Sequence, residues 1–148
     1  MDDAIVEPVR VEIYRSFVED GRAPTVDGIV ARIDRSVEEV ERALLALDAG
    51  DVIALDPSTG ALWLAHPFCA TPAPFKVRSG PRAWDAICVW DALGILAVID
   101  EDGTVETHCP DCGEAIELRV VDGRIDDAEG VVHYGVPASR WYEDIGYT

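Results

Sequence analysis

Four prolines, Pro67, Pro72, Pro74 and Pro81, fall within fifteen residues of the segment HPFCATPAPFKVRSGPR. Each fixes its own φ, removes a backbone donor and biases the residue before it toward extended conformation. No helix runs through such a stretch, so it reads as an extended link between two parts, placed here at residues 1–75 and 76–148. Cys69 lies inside the link beside Phe68, and as a lone thiol there it reads as a small packed hydrophobe.

The first part reads as helix, helix, helix, hairpin. Val9, Ile13, Phe17 and Val18 fall on one helical stripe over Val9 to Asp20, and Gly21 stops it. Thr25 is the N-cap of a second helix that turns Val26, Ile29, Val30 and Ile33 inward. Ser36-Val37-Glu38-Glu39 is a capping box opening a third, with Val37, Val40, Leu44 and Leu47 as its apolar face. Two alternating runs then flank Asp56-Pro57-Ser58-Thr59-Gly60, which is hairpin chemistry. Three helices followed by a two-stranded wing is the pattern of a winged helix-turn-helix.

That pattern brings DNA binding to mind, and the charge excludes it as the expectation. Residues 1–75 carry six arginines against fourteen acids, a net of −8, and the whole chain has a net charge of −17. Phosphate backbones and anionic membranes both require a positive face. The third helix sets Glu38, Glu39, Glu41 and Asp48 against Arg42, where a recognition helix needs Arg, Lys, Asn or Gln. We therefore expect neither nucleic acid nor membrane as partner. The longest apolar run, Ala86 to Ile99, is interrupted by Asp91 and falls short of the ~20 residues that span a bilayer. The acidic start MDDAIVEPVR is unlike a secretory signal, so the expected compartment is the cytoplasm, where the four cysteines stay reduced. Thiols there point to metal or catalytic chemistry rather than disulfides.

The second part opens on the helix-like run AWDAICVWDALGILAVI, in which Cys88 and Asp91 stand three residues apart and would share one helical face. After Thr104 to Cys109 and the knuckle that follows, strands are expected from Ala115 to Val121 and from Val131 to Val136, with a turn at Asp122-Gly123. The whole is an α+β chain, a winged helix-turn-helix followed by a small, mostly antiparallel sheet with helices. Two constellations carry chemistry. A thiol beside a carboxyl, Cys88 with Asp91, joins a soft nucleophile to a group that takes and returns its proton. A C-x-x-C-G knuckle, Cys109-Pro110-Asp111-Cys112-Gly113, lets both sulfurs hold one metal ion as in half of a zinc ribbon, with a tight turn of reduced thiols as the plainer reading. His66, His108 and His133 come with neither G-x-S-x-G nor H-E-x-x-H, so no hydrolytic site is expected.

The succession GRAPTVDGIVARIDRSVEEVERAL, AHPFCATPAPFKV, AWDAICVWDALGI and THCPDCGEAI resembles the organomercurial (alkylmercury) lyases, from Tyr14 to Trp141 and most specifically around Trp84 to Leu93. The resemblance implies that Cys88 and Asp91 are catalytic, and that Cys109, within Thr107-His108-Cys109, matches a structural cysteine of the family. It implies an organomercurial or other soft-metal small molecule as partner and no organic cofactor. The implied reaction is thiolate attack on mercury, protonation of the leaving carbon by the carboxyl, and release of a hydrocarbon with Hg(II) held on sulfur. The family's second catalytic cysteine lies beyond the segment matching Trp141 to Thr148, so residues 1–148 alone are expected to turn over slowly. The rival expectation is a non-catalytic thiol protein binding zinc, copper or mercury through Cys109 and Cys112, whereas Cys88 is a metal ligand in the lyase reading, as a sulfur that keeps Hg(II). A metal-responsive regulator ranks third.

Overall fold

The computed structural model of the chain describes residues 3–126 and 129–147, so Thr148 lies outside the described residues. It combines helices with antiparallel strands in two compact units, which part between Thr71 and Pro72.

The first unit holds α1 (Asp3–Asp20), α2 (Val26–Ile33) and α3 (Val37–Ala49), then the short strands β1 (Ala54–Leu55), β2 (Leu62–Ala65) and β3 (Phe68–Cys69). Local chemistry sets the helix starts. The Thr25 hydroxyl accepts from the Gly28 N–H at 3.0 Å, and Ser36 and Glu39 exchange both bonds of the capping box. α1 begins earlier than the stripe indicates and carries Pro8 within it. Val9, Ile13 and Phe17 are buried on one face of α1, facing a core with Ile29, Val40, Ala43, Leu44 and Leu47. Val37, expected on the apolar face of α3, is 38% exposed because it sits in the first turn, ahead of the buried stripe. Phe68 stacks on Phe17 with ring centroids 4.9 Å apart, and Cys69 is buried as a packed side chain. The expected hairpin forms: Asp56 accepts from the Ser58 and Thr59 N–H groups at 2.8 and 3.0 Å, and β1 pairs antiparallel with β2.

A buried charge breaks the apolar pattern of α1. Glu12 is 2% exposed on the inner face of α1, held by Arg15 at 3.2 Å and Arg32 at 2.9 Å. Arg32 also reaches Asp20, so this cluster ties α1 to α2.

The second unit is an antiparallel sheet with one helix. β4 (Phe75–Ser79) and β5 (Arg82–Ala86) form a hairpin, α4 (Val89–Ile99) follows, and β6 (Gly103–His108), β7 (Ala115–Val121) and β8 (Arg124–Asp126) complete the order β5-β4-β6-β7-β8. Two expectations are corrected here. The helix-like run does not begin at Ala83: Arg82–Ala86 is a strand, with Trp84 opposite Val77, and the helix starts only after Cys88. Alternate burial of Trp84 and Ala86 is a period of two, which the continuous apolar run beyond them masks. Val131 to Val136 is not a strand. The partner of β7 is instead β8, paired through a two-residue turn in which Asp122 and Gly123 both have positive φ, the geometry that matches strand twist. Val131, 94% exposed, has no core to alternate against. Among the described residues no helix is long and apolar enough to cross a membrane.

Candidate active site

Cys88 and Asp91 meet at the N-terminus of α4, in an arrangement different from two residues on one helical face. Cys88 is the N-cap, with extended backbone (φ −142°, ψ 169°), and its Sγ accepts from the Asp91 N–H at 3.4 Å. A cysteine here takes the place usually filled by Ser, Thr or Asp, so the sulfur points at the open N–H groups of the first turn. Asp91, three residues into the helix, is 8% exposed. Its carboxyl is near enough for its charge to act on the Cys88 thiol. The two side chains are thus brought together, through a cap rather than a shared stripe.

Electrostatics at Cys88 oppose one another. The helix N-terminus and the N–H groups of Asp91 and Trp90 favour the thiolate. Burial disfavours it more strongly, the Asp91 charge adds to burial, and together they push the Cys88 thiol above the usual range. Burial and the neighbouring carboxyl therefore favour the protonated thiol at Cys88.

The knuckle behaves in the opposite way. Cys109 follows β6 and turns back through Gly113, which has φ +74° and donates to the Cys109 carbonyl at 2.9 Å. The turn wraps the Cys112 and Asp111 N–H groups around the Cys109 sulfur, and with the Cys112 thiol they hold it below the ordinary thiol range. Cys112 is exposed. The structure does not extend this pair into a zinc site: among the described residues no three His, Cys, Asp or Glu side chains gather to hold a metal ion. Two sulfurs of a turn fall short of the four donors that structural zinc takes, and Cys88 does not join them. Cys69 lies in the first unit, packed near Thr71.

A residue that sequence reasoning missed completes the picture. Tyr134, within the run expected to be a strand, has its hydroxyl buried beside Cys88 and Asp91. Burial first, and then the Cys88 charge, push this phenol above its usual range. The available signal was a tyrosine flanked by Gly130, Gly135 and Pro137, which mark a loop rather than a ladder. Trp90, the second residue of α4, is 70% exposed next to the pair. The cavity at the other end of α4, lined by Leu96, Asp100, Asp102 and Val120 among others, contains no cysteine.

With this geometry in view, the comparisons with known proteins converge. The model of the alkylmercury lyase family (MerB) matches residues 68–147, more than half of the chain, and includes Cys88, Asp91, Cys109 and Tyr134. Among solved structures, the crystal structure of the mercury-bound form of MerB2 superposes with a TM-score of 0.65 at 19% identity, over 86% of this chain. The chain spans 60% of the length of that protein. No curated protein matches. By its sequence over residues 68–147, the chain belongs to the alkylmercury lyase family.

Proposed function

We propose that the protein cleaves carbon–mercury bonds, with Cys88 as nucleophile and Asp91 as proton carrier. The observation that carries this reading is geometric: Cys88 caps α4 with its sulfur on the Asp91 N–H at 3.4 Å, and Asp91 is itself buried. Protonolysis consumes one proton per carbon released, and this pair stores that proton beside the nucleophile. The S–H bond breaks as sulfur bonds to the mercury of R–Hg–X, X leaves as the anion, and the proton passes to Asp91. The carbon–mercury bond then breaks with its electron pair on carbon, which takes the proton from Asp91 and departs as R–H. Hg(II) stays on sulfur, the donor a soft metal prefers. A second sulfur on mercury raises its electron density and weakens the carbon bond.

The first unit we read as a winged helix with a structural role. Its three helices and the β1–β2 wing support this, and its acidic surface provides no face for phosphates. The working compartment is the cytoplasm, where the four free cysteines remain reduced.

The test is hydrocarbon release from an alkylmercury compound under single-turnover conditions, with excess buffer thiol to serve as second sulfur. Wild type is expected to release hydrocarbon and Cys88→Ser to release none, while Cys109→Ser and Cys112→Ser still do. Release by Cys88→Ser at the wild-type rate would contradict the assignment. So would no release by wild type with metal bound at Cys109 and Cys112.

A further inference from the structure

Among the described residues, one buried side-chain oxygen or nitrogen has no hydrogen-bond partner, the Tyr134 hydroxyl. Buried hydroxyls are nearly always paired, because an unpaired one has lost its water and received nothing in return. This one is held in place. The Tyr134 ring packs on Trp141 with centroids 5.1 Å apart, and the Trp141 indole N–H donates to the Val136 carbonyl at 2.9 Å, which fixes the loop between them. The hydroxyl stands beside the Cys88 sulfur and the Asp91 carboxyl.

Why it lacks a partner follows from the resting state of Cys88. A neutral thiol is a weak acceptor, and the Cys88 sulfur already receives the Asp91 N–H. A thiolate is a strong acceptor, and hydrogen bonds to an ionised group are about twice as strong as neutral ones. The partner missing at rest is created by the reaction.

We propose that Tyr134 is a positioning residue for the nucleophile: its hydroxyl donates to the Cys88 sulfur once the thiol proton has passed to Asp91. The step breaks the S–H bond and forms O–H on the carboxyl, and the tyrosine keeps its own proton throughout. The inference rests on the assignment of Cys88 and Asp91 above. Asp91 from α4 and Tyr134 from the loop are the titratable groups of the described residues that face Cys88, and the Trp90 and Asp91 N–H groups complete its polar surroundings. Burial and the Cys88 charge push the phenol above its ordinary range, so it keeps its proton as the thiolate forms.

Tyr134→Phe keeps the ring on Trp141 and removes only the hydroxyl. Alkylation of the full chain by iodoacetamide near neutral pH, resolved peptide by peptide by mass spectrometry, reads each cysteine separately. Losing a donor to the thiolate lowers its population about ten- to a hundredfold, and the greater nucleophilicity of the less stabilised sulfur returns roughly half of that on a logarithmic scale. Cys88 is therefore expected to react about three- to tenfold more slowly in Tyr134→Phe, with Cys109 and Cys112 unchanged. A purely structural role predicts the opposite sign, because a smaller side chain only opens access to Cys88. Incorporating 3-fluorotyrosine at 134, a stronger donor of nearly the same shape, is expected to make Cys88 react at least as fast as in wild type. An equal or faster rate at Cys88 in Tyr134→Phe overturns the proposal, as does a 3-fluorotyrosine chain slower than wild type. If Tyr134→Phe loses cooperative unfolding, the 3-fluorotyrosine chain decides alone. Alkylation needs no organomercurial, so failure here leaves the lyase assignment standing. Failure of the lyase assignment appears instead as no hydrocarbon release with the Tyr134 effect intact.

Discussion

Gly103 opens β6 at the point where α4 packs on the sheet, and a single methyl group there is expected to be severe. A Cβ at this position would lie 2.3 Å from the backbone oxygen of Arg78 and 2.6 Å from Cδ2 of Leu96, where ordinary contact begins at 3.4 Å. Leu96 is buried and has little room to turn away. The Arg78 carbonyl has less freedom, because its residue is locked in the ladder opposite Thr104 while Gly103 is itself opposite Val120. Relief requires β4 and β6 to separate by more than 1 Å at that end. Overpacking typically costs about 1–3 kcal/mol, and a clash with backbone belongs at the top of that range, so Gly103→Ala is expected to cost ~3 kcal/mol or more. For a chain of this size that lowers Tm by roughly 6–12 °C. Guanidinium unfolding followed by tryptophan fluorescence measures the loss, because Trp84 and Trp90 report on the unit affected. Gly135→Ala is the control: nothing stands within 4 Å of its added Cβ, and its stability is expected to stay within about 0.5 kcal/mol of wild type. A Gly103→Ala variant as stable as that control would refute the packing of α4 on β4 and β6 described here.

Two further outcomes follow from the charges. Cys109, held low by the N–H groups of its turn, is expected to react with iodoacetamide near neutral pH about tenfold or more faster than Cys88, which burial holds high. The Cys88 rate should go on rising with pH after the Cys109 rate has levelled, and peptide-resolved mass spectrometry would show the reverse order if the burial argument were wrong. In the first unit, Glu12→Leu removes a buried charge together with its desolvation cost and is expected to change stability by no more than about 1 kcal/mol, whereas Arg32→Leu leaves Glu12 buried and paired with Arg15 at 3.2 Å. Urea unfolding should find Arg32→Leu the less stable of the two, and equal stabilities would count against the cluster.

What could be read from the sequence is what local chemistry decides. Thr25 and Ser36 satisfy N–H groups three residues away, and Asp56 closes its own turn, so these starts and stops require no knowledge of the rest of the chain. The same holds for the knuckle at Cys109, where Gly113 supplies the positive φ. Elements decided by distant partners were read less well. Arg82–Ala86 is a strand because Val77 and Lys76 on β4 pair with it, a contact invisible in an apolar run that also suits a helix. Val131 to Val136 has the composition of a strand, yet among the described residues none pairs with it in a ladder, and β8 takes the place beside β7. The Cys88–Asp91 pair was legible by spacing and resemblance, while the capping role of the sulfur was not, since it depends on where the helix begins. Tyr134 and the burial of Glu12 were hidden for the same reason: both are set by packing between segments distant in sequence.

The central claim is that Asp91 carries the proton from the Cys88 thiol to the leaving carbon. Asp91→Asn keeps the size and most of the hydrogen bonds of the side chain and removes its transferable proton. The direct measurement is to mix this variant, stoichiometrically and with excess buffer thiol, with phenylmercury. Mercury on the Cys88 peptide is then followed by mass spectrometry and benzene by gas chromatography. The account predicts phenylmercury bound at Cys88 with benzene release at least about a hundredfold slower than in wild type, the usual minimum worth of a positioned general acid. Benzene released by Asp91→Asn as fast as by wild type would contradict it.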